Sequence, residues 1–415
     1  MYGILNGMRV VEAASFVAGP SCGLHLLQLG AEVIRIDPLE GGADARRWPL
    51  ASNGASLYWE GLNKGKKSVA LNLKTPEGRE LAQAIVAAPG ADGGLFVTNQ
   101  PVEGLFSHAA LSRRRTDLIT VRVMGWADGR AAVDYTVNCA VGVPDLTGPV
   151  EGGPVNHVLP AWDLLTGAYA AFALVAAERQ RSRTGAGLEI HAPLGDMAMA
   201  TLGHLGQVAE VALSGRDRER TGNVLYGAFG RDFETADGHR VMVVALTSRQ
   251  WTALVAALHL GEPMAALEQE VGLSFAADEG ARYRWHSRLS ALMEPTIRAL
   301  TRAELSARFE AAGVLFGPYR TLATALAEDP GFLPAGGLFE EVTHPGGGRY
   351  PTPGPAVRIP EARRGAAPRA PRLGEHTAEV LAGLLGLSGR EIDRLNRHGI
   401  AGAAASAPGG VPSPA

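Results

Sequence analysis

The sequence predicts an α/β fold, and three neighbouring segments carry that prediction. Residues 9–12 are typical of a short buried strand, residues 20–29 of a helix with Pro20 in its first turn, and residues 31–37 of a second strand. A strand, a helix and a strand joined by short turns make a βαβ unit, in which the strands are parallel and lie beneath helices. The chain therefore opens as an α/β domain.

Later segments extend this pattern and divide the chain. Residues 69–73 alternate in polarity and predict a strand that leads into a helix near Pro76. Residues 164–181 show a helical pattern. A basic-rich linker at residues 216–221 precedes a new strand at residues 240–246, and at this linker we place a domain boundary.

The composition is that of an ordinary globular protein. The chain has 415 residues, of which 46% are hydrophobic and 20% charged, and its formal net charge is -3. The length predicts two domains, and the charge indicates neither a nucleic acid nor a membrane surface as partner. The longest apolar run, residues 168–177, is about half as long as a membrane crossing. Because residues 2–7 do not resemble an export signal, we expect a cytoplasmic protein.

The sequence gives no sign of a metal site or a disulfide framework. Cys22 and Cys139 are far apart and have no companion ligands, and the 11 histidines show no His-Glu-x-x-His spacing. We therefore expect no metal.

Two segments resemble phosphate sites only weakly. Residues 16–20 form a turn at a predicted helix N-terminus, which suits a phosphate or a closely approaching ligand, although the glycine there also serves a simple turn. Residues 63–68 are basic, but Glu60 and Lys67 stand where a phosphate loop has Gly and Ser or Thr. By itself this basic cluster is more typical of a solvated turn. No Gly-x-Gly-x-x-Gly fingerprint follows, which disfavours a dinucleotide cofactor.

Asp163 is the most informative single residue. It is a lone carboxylate directly ahead of the apolar run at residues 168–177. Placing a carboxylate beside apolar surface costs several kcal/mol, roughly, unless a partner or a ligand compensates. One interpretation is a helix N-cap, for which the preceding Pro160 is suitable. The other is a nucleophilic carboxylate that forms a covalent acyl intermediate.

Several motifs in order resemble the class III CoA-transferases over nearly the whole chain. They are residues 17–20, 29–34, 63–68, 71–78, Asp163 with Gly167, and residues 371–377. The resemblance implies a large Rossmann-like domain built from both ends of the chain, a smaller inserted α+β domain, and an interlocked homodimer. It implies acyl-CoA substrates and no cofactor other than the CoA of the substrate. We assign residues 1–215 and 317–400 to the large CoA-binding domain, 222–316 to the small domain, and 401–415 to a disordered tail.

The resemblance also implies roles for individual residues. The catalytic aspartate of the family falls on Asp163. The implied CoA-binding residues are Val17, Ala18, Arg47, Leu71, Asn72, Leu73, Lys74, Asn99, Gln100 and Pro101. After Asn99 the chain departs from the family pattern of an aromatic residue followed by Arg or Gly-Pro-Gly.

A narrower likeness, in residues 133–138, 147–149, 155–163 and 222–233, implies an acyl pocket. Its residues would be Asp134, Tyr135, Asn138, Tyr226, Gly227, Gly230 and Arg231. Arg231 would pair with a free carboxylate of the substrate or form a surface salt bridge. The glycine-rich residues 227–230 would stabilise an oxyanion or form a simple turn. His157 would orient a carboxylate or serve the structure.

The likeness implies intramolecular transfer of CoA between the two carboxyls of mesaconate. The first alternative is intermolecular transfer from a donor such as succinyl-CoA to a free acid. The second is an acyl-CoA racemase, which needs an acid–base pair and is disfavoured because Val133 stands where racemases have His. The third is an inert CoA-binding protein, which the presence of Asp163 disfavours.

Overall fold

The computed structural model of the protein describes residues 1–333 and 337–402. The strands are β1 (Arg9–Ala13), β2 (Glu32–Pro38), β3 (Lys67–Leu71), β4 (Leu95–Thr98), β5 (Ile119–Met124), β6 (Leu188–Pro193), β7 (Phe229–Glu234), β8 (Arg240–Ala245), β9 (Leu315–Pro318), β10 (Phe339–His344), β11 (Gly348–Pro353) and β12 (Ala401–Gly402).

Helices connect or follow these strands along the described chain. They are α1 (Ala18–Gln28), α2 (Leu57–Asn63), α3 (Pro76–Val86), α4 (His108–Ser112), α5 (Asp134–Ala140), α6 (Val143–Leu146), α7 (Ala161–Thr184), α8 (Leu194–His204), α9 (Gln207–Ser214), α10 (Ser248–Ala257), α11 (Gly261–Val271), α12 (Glu279–Arg284), α13 (His286–Arg298), α14 (Arg302–Ala312), α15 (Leu322–Glu328), α16 (Thr377–Leu385) and α17 (Gly389–Arg397), with a 3₁₀ turn at Pro330–Phe332. Among the described residues, none of these helices is both long and apolar enough to cross a membrane.

The chain divides into two compact units. The first comprises residues 1–141, 158–210 and the described residues from Asp329 onward, and the second comprises Gly142–His157 and Val211–Glu328. The small domain expected at residues 222–316 therefore begins earlier and ends later. Its end moves because β9 pairs with β8 in an antiparallel sheet with β7, which keeps Leu315–Pro318 in the second unit. The unit then continues through α15 to Glu328.

The first unit is built on a seven-stranded sheet with the order β12-β3-β2-β1-β4-β5-β6. Strands β1 to β6 are parallel and β12 is antiparallel to β3. The order β3-β2-β1-β4-β5-β6 is that of the Rossmann fold, which confirms the predicted α/β class. The strand order reverses between β1 and β4, and open α/β sheets bind ligands at the carboxyl ends of the strands at this point. Ala401 and Gly402, assigned to the tail, form β12, and residues 403–415 lie outside the described residues.

Apolar layers cover both faces of this sheet. Val10 of β1 packs in one cluster with Leu26 of α1 and Leu174 of α7, whereas the next residue, Val11, belongs to the opposite cluster. Helices on both sides explain why the parallel strands are apolar almost throughout. The second unit has its own core around β7, β8 and the helices α10 to α14.

A buried ionic cluster lies where β1 and β2 end. The Arg35 guanidinium donates to Glu12 at 3.1 Å, Asp37 at 2.9 Å and Asp44 at 3.0 Å. Lys66 Nζ donates to the Glu12 carboxylate at 2.8 Å, and both side chains are fully buried. The expectation that residues 63–68 form a solvated turn is therefore wrong for Lys66, because its ammonium is buried and paired with Glu12 of β1.

We predict that Lys66→Met destabilises the protein by about 3–5 kcal/mol, since it leaves buried carboxylates short of one partner charge. The matched control is Lys67→Met, because Lys67 is 32% exposed and pairs at the surface with Glu32 and Glu379. That change is expected to cost about 1 kcal/mol or less. Denaturant unfolding of both variants measures the difference, and equal losses would contradict a structural role for the cluster.

Candidate active site

Two adjoining cavities open at the carboxyl ends of the parallel strands. The larger, of about 1010 Å³, lies over β1, β2 and β4 and is bordered by α3. The smaller, of about 570 Å³, lies over β1, β4 and β5 and contains Asp163 in its wall. Both are lined by Ser15 and Phe16 after β1 and by Asn99, Gln100, Pro101 and Glu103 after β4. These shared walls make the two cavities one continuous site at the point where the strand order reverses.

The structure places the predicted CoA-binding residues unevenly around this site. Leu73, Asn99, Gln100 and Pro101 line the larger cavity, and Ala18 lines the smaller. The other five are absent from these two linings. Two of them, Val17 and Leu71, are buried in the core. The Asn72 side chain donates to the Gly399 carbonyl at 3.0 Å, and the exposed Lys74 lies 3.6 Å from Glu40. The Arg47 guanidinium lies over two aromatic rings.

Asn99 has a structural task at the mouth of the site. Its Oδ1 accepts from the Ser15 N–H at 3.2 Å, and its Nδ2 donates to the Ser15 carbonyl at 3.0 Å. This pair of bonds ties the end of β4 to the end of β1. The turn that carries Phe16 and Ala18 is thereby held at a fixed place beside the loop after β4.

Arg122, which was not predicted from the sequence, organises the same loop. Its side chain is buried, pairs with Glu189 at 2.8 Å, and donates to the carbonyls of Gln100 at 2.7 Å, Pro101 at 2.9 Å and Phe106 at 2.9 Å. A guanidinium has enough donors for all four partners. A charged residue in the middle of apolar β5 is the signal that could have revealed this role.

Arg79 and Gln83 were also missed, and they line the larger cavity from α3. They are four residues apart, so they lie on the same face of the helix. This spacing is visible in the sequence, but only the fold shows that this face borders a cavity.

Asp163 lies in the first turn of α7, but it is not the N-cap. The helix begins at Ala161, and the position before it is Pro160, whose side chain has no capping group. The side chain that caps the helix comes from a different element: Asp134 Oδ2, in the first turn of α5, accepts from the N–H of Trp162 at 2.6 Å and from the N–H of Asp163 at 3.0 Å. The carboxylate of Asp163 is therefore not used for capping.

The remaining predicted pocket residues of α5 lie beside Asp163. Asn138 is buried and accepts from the indole N–H of Trp162 at 3.0 Å. Tyr135 is exposed, and its hydroxyl donates to the Val158 carbonyl at 3.4 Å. Asp134 and Asn138 thus bind the start of α7, which fixes the position of the nucleophile candidate.

Close packing of α7 on α1 sets the other side of Asp163. A Cβ on Gly167 would collide with Ser21 Oγ and lie 2.7 Å from the Ala18 carbonyl, so only glycine permits this approach. Gly167 is four residues after Asp163 and lies on the same helix face. The close approach brings the Asp163 carboxylate to the N–H of Ala18, which donates to it.

Burial, together with the nearby negative charge of Asp134, raises the pKa of Asp163 to about 6. The Ala18 N–H and the positive charge of Arg47 oppose this shift. Asp163 is therefore ionised at neutral pH but holds its charge in a poorly solvated place. That is a suitable state for a carboxylate nucleophile.

The other predicted pocket residues belong to the second unit. Tyr226 and Gly227 precede β7; the Tyr226 ring lies 5.0 Å from that of Tyr283, with Arg218 3.8 Å above it. Gly230 is in β7 opposite Val244, and Arg231 donates to the Asp232 carbonyl and lies over the Phe233 ring. His157 is half-buried. The pocket roles of these residues stay predictions.

Within residues 1–333 and 337–402, no His, Cys, Asp and Glu side chains form a group suited to a metal ion.

Comparison with known proteins shows extensive similarity. The chain is 49% identical over 402 residues to 2-methylfumaryl-CoA isomerase of Chloroflexus aurantiacus, covering 96% of this chain and 98% of the relative. It is 30% identical to succinyl-CoA:glutarate CoA-transferase of Mus musculus, covering 95% of this chain and 90% of the relative. The crystal structure of a CAIB/BAIF family protein from Brucella suis matches with a TM-score of 0.75 and 28% identity, covering 92% of this chain and all of that one.

We predict that Gly167→Ala lowers the free energy of unfolding by about 1–3 kcal/mol, because the added methyl group forces α7 away from α1. The pKa of Asp163 should then rise, since its carboxylate loses the Ala18 N–H. Denaturant unfolding and a ¹³C NMR titration of the aspartate carboxyls measure both effects. The control is Gly383→Ala in α16, where the new Cβ meets no atom within 4 Å. An unchanged or lowered pKa of Asp163 in Gly167→Ala, relative to the parent protein, would contradict the role of this packing.

The family model of CoA-transferase family III matches residues 5–377, which is most of the chain. The motifs at residues 17–20, 71–78 and 163–167, the parallel sheet and the relatives all agree with that match. The chain belongs to CoA-transferase family III.

Proposed function

We propose that this protein converts 2-methylfumaryl-CoA to 3-methylfumaryl-CoA by moving CoA between the two carboxyls of mesaconate. The observation that carries the proposal is Asp163, a poorly solvated carboxylate held by Asp134 and Ala18 in the wall of a cavity that continues into a second, larger one. The similarity to the Chloroflexus isomerase supports the same choice of substrate.

The reaction begins when an Asp163 carboxylate oxygen attacks the thioester carbonyl carbon. The carbon–sulfur bond breaks, which gives a mixed anhydride and CoA thiolate. The thiolate then attacks the aspartyl carbonyl and releases mesaconate, leaving an aspartyl-CoA thioester. Both carboxylates of mesaconate are now free.

Isomerisation follows if mesaconate stays in the site. The carboxylate at carbon 4 attacks the aspartyl thioester and displaces the thiolate, which then attacks the mesaconyl carbonyl of the new anhydride. This step releases 3-methylfumaryl-CoA and restores the Asp163 carboxylate. No oxidant, metal or external acid is consumed in this sequence.

The structure supports this role through the position of Asp163. Its carboxylate meets the N–H at the start of α1, and its own N–H is held by Asp134. Asp134 fixes the backbone from which the nucleophile projects, and the Ala18 N–H orients its carboxylate, which together reduce the entropic cost of attack. The larger cavity, at about 1010 Å³, has room for the CoA moiety beside the reacting thioester.

The alternative is intermolecular transfer to a free acid, as the name of the mouse relative describes for that protein. Asp163 would act in the same way, and only retention of the acid distinguishes the two reactions. The higher identity to the isomerase, 49% against 30%, favours the intramolecular reaction.

We also propose that the protein is an interlocked homodimer. One face of α7 carries three partly exposed apolar side chains, at positions i, i+4 and i+7. They are Leu165, Tyr169 and Phe172, which are 38%, 54% and 65% exposed. An apolar helix face of this kind suits a second copy of the chain. The chain leaves the first unit at residue 211 and returns to it at Asp329. In an interlocked dimer, the connecting segments of one subunit would pass through the other subunit.

Phe172→Glu should weaken this dimer, because it places a charge on the apolar face. Sedimentation at micromolar concentration is expected to show a dimer for the parent protein and a lower mass for the variant. Gln180→Glu, which adds the same charge to an exposed position of α7, is the control and should stay dimeric. A monomeric parent protein would contradict the proposed dimer.

The decisive experiment for the reaction uses 2-methylfumaryl-CoA with an excess of labelled free mesaconate. We expect isomerised thioester that carries almost no label, because the acid is retained. Asp163→Asn should lose at least about 10³-fold in kcat, since the amide cannot replace the nucleophile. Substantial label in the product, or efficient transfer of CoA to succinate, would instead make the enzyme an intermolecular transferase.

The pH dependence follows from the raised pKa of Asp163. Only the ionised form attacks, so kcat/KM should rise with pH through a midpoint near 6 and level off above it. Asp134→Asn keeps an oxygen acceptor for the α7 N–H groups but removes the neighbouring charge, which should move the midpoint to lower pH. A thermal unfolding series over the same pH range controls for loss of structure. An unchanged midpoint would show that the observed ionisation belongs to another group.

A further inference from the structure

The guanidinium of Arg47 is held in an unusual way beside the active site. It lies 5.4 Å from the centroid of the Phe16 ring and 5.3 Å from that of the Tyr58 ring. Its backbone is also fixed, since its N–H donates to the Asp44 carbonyl at 3.2 Å and its carbonyl accepts from Ser56 Oγ at 2.5 Å. Two aromatic faces and two backbone bonds thus hold an arginine whose side chain is exposed.

No carboxylate of the described chain neutralises Arg47 by a salt bridge. The nearby Asp44 and Asp37 side chains are engaged by Arg35 inside the buried cluster. Because aromatic rings and not a carboxylate hold this guanidinium, its N–H donors can still form a two-point hydrogen bond with the carboxylate of a ligand.

The first ring of this stack belongs to the turn that touches the nucleophile. Phe16 has φ of +70°, a backbone conformation that residues other than glycine rarely adopt, and its ring lines both cavities. Ala18, two residues later, donates its N–H to Asp163. One short turn therefore holds Arg47 through Phe16 and Asp163 through Ala18. Strained residues of this kind concentrate at ligand sites.

The second ring adds a hydrogen-bond donor. The Tyr58 hydroxyl is buried and has no hydrogen-bond partner among the described residues. Burial raises the pKa of Tyr58 to about 12, against the opposing charge of Arg47, so the hydroxyl keeps its proton. A buried donor without a partner is costly, and a bound carboxylate would satisfy it.

We propose that Arg47, with the Tyr58 hydroxyl, binds the carboxylate that remains free when the other carboxyl of a dicarboxylic acid is joined to CoA. The inference rests on the proposed function insofar as the acyl group must reach Asp163. It gives Arg47 a role different from the CoA contact that the family resemblance implies. It also moves recognition of the free carboxylate from Arg231, in the second unit, to a residue held by the turn beside Asp163.

The test compares thioesters that differ only in the free carboxylate. Calorimetric binding is measured in an Asp163→Asn background, which prevents turnover. The ligands are 2-methylfumaryl-CoA and its methyl counterpart tiglyl-CoA, succinyl-CoA and its methyl counterpart butyryl-CoA, and CoA alone. Arg47→Gln and Tyr58→Phe are added to this background. Arg46→Gln, at the exposed neighbouring arginine, is the matched control, and Arg231→Gln represents the rival assignment.

Arg47→Gln should weaken both dicarboxylic thioesters by about 10- to 100-fold, the effect of losing a charged hydrogen-bonding partner. Tyr58→Phe should weaken the same two ligands by a smaller factor. Tiglyl-CoA, butyryl-CoA and CoA should bind within about twofold of the background in each variant, because a charged hydrogen bond absent from the complex cannot be lost. Arg46→Gln should leave all five ligands within that range.

Equal weakening of all five ligands by Arg47→Gln would overturn the proposal and make Arg47 a CoA contact. Selective weakening by Arg231→Gln, with none from Arg47→Gln, would overturn it in favour of Arg231. The proposed isomerisation fails in a different experiment, by incorporation of labelled mesaconate. The succinyl and butyryl pair tests Arg47 even if that happens.

Discussion

The close approach of α1 to its neighbours on both sides is the constraint on which the site depends. On one side, a Cβ on Gly19 or Gly23 would collide with Ala14 or with the buried Glu12 carboxylate of the first strand. On the other, Gly167 lets α7 reach the Ala18 carbonyl and Ser21. Backbones can approach so closely only where side chains are missing. The first N–H of α1 is thereby held at a fixed place, and Asp163 meets it.

Buried charges in this protein mainly position other groups. Arg122 donates hydrogen bonds to the carbonyls of Gln100, Pro101 and Phe106. Asp134 accepts hydrogen bonds from N–H groups in the first turn of α7. Glu12 of β1 pairs with Arg35 of β2 and with Lys66, which directly precedes β3. Burying such groups is costly unless each is paired, and here each has named partners. These paired groups fix the segments around the Asp163 carboxylate, which is left available for chemistry.

The electrostatics of Asp163 follow from the same arrangement. Burial and Asp134 raise the pKa of its carboxyl, whereas the Ala18 N–H and Arg47 lower it. The balance leaves the group ionised at neutral pH yet close to the point where it would take up a proton. A thioester that enters the cavity therefore meets a nucleophile whose charge is weakly solvated, beside a stacked guanidinium suited to a second carboxylate.

The sequence alone determined the βαβ opening, the family motifs and the importance of Asp163, because periodicity, turn residues and an isolated carboxylate are local features. It placed the strand at residues 9–12 and the helix at 164–181 within a few residues of β1 and α7. It could not show that Lys66 is buried, that Asp134 caps a helix 28 residues away, or that Arg47 lies between Phe16 and Tyr58. Those contacts join residues that are separated in the chain and are close only because the folded sheet and its helices bring their segments together. Only the tertiary structure decided them, since the partner of a charge depends on which segments the sheet brings together.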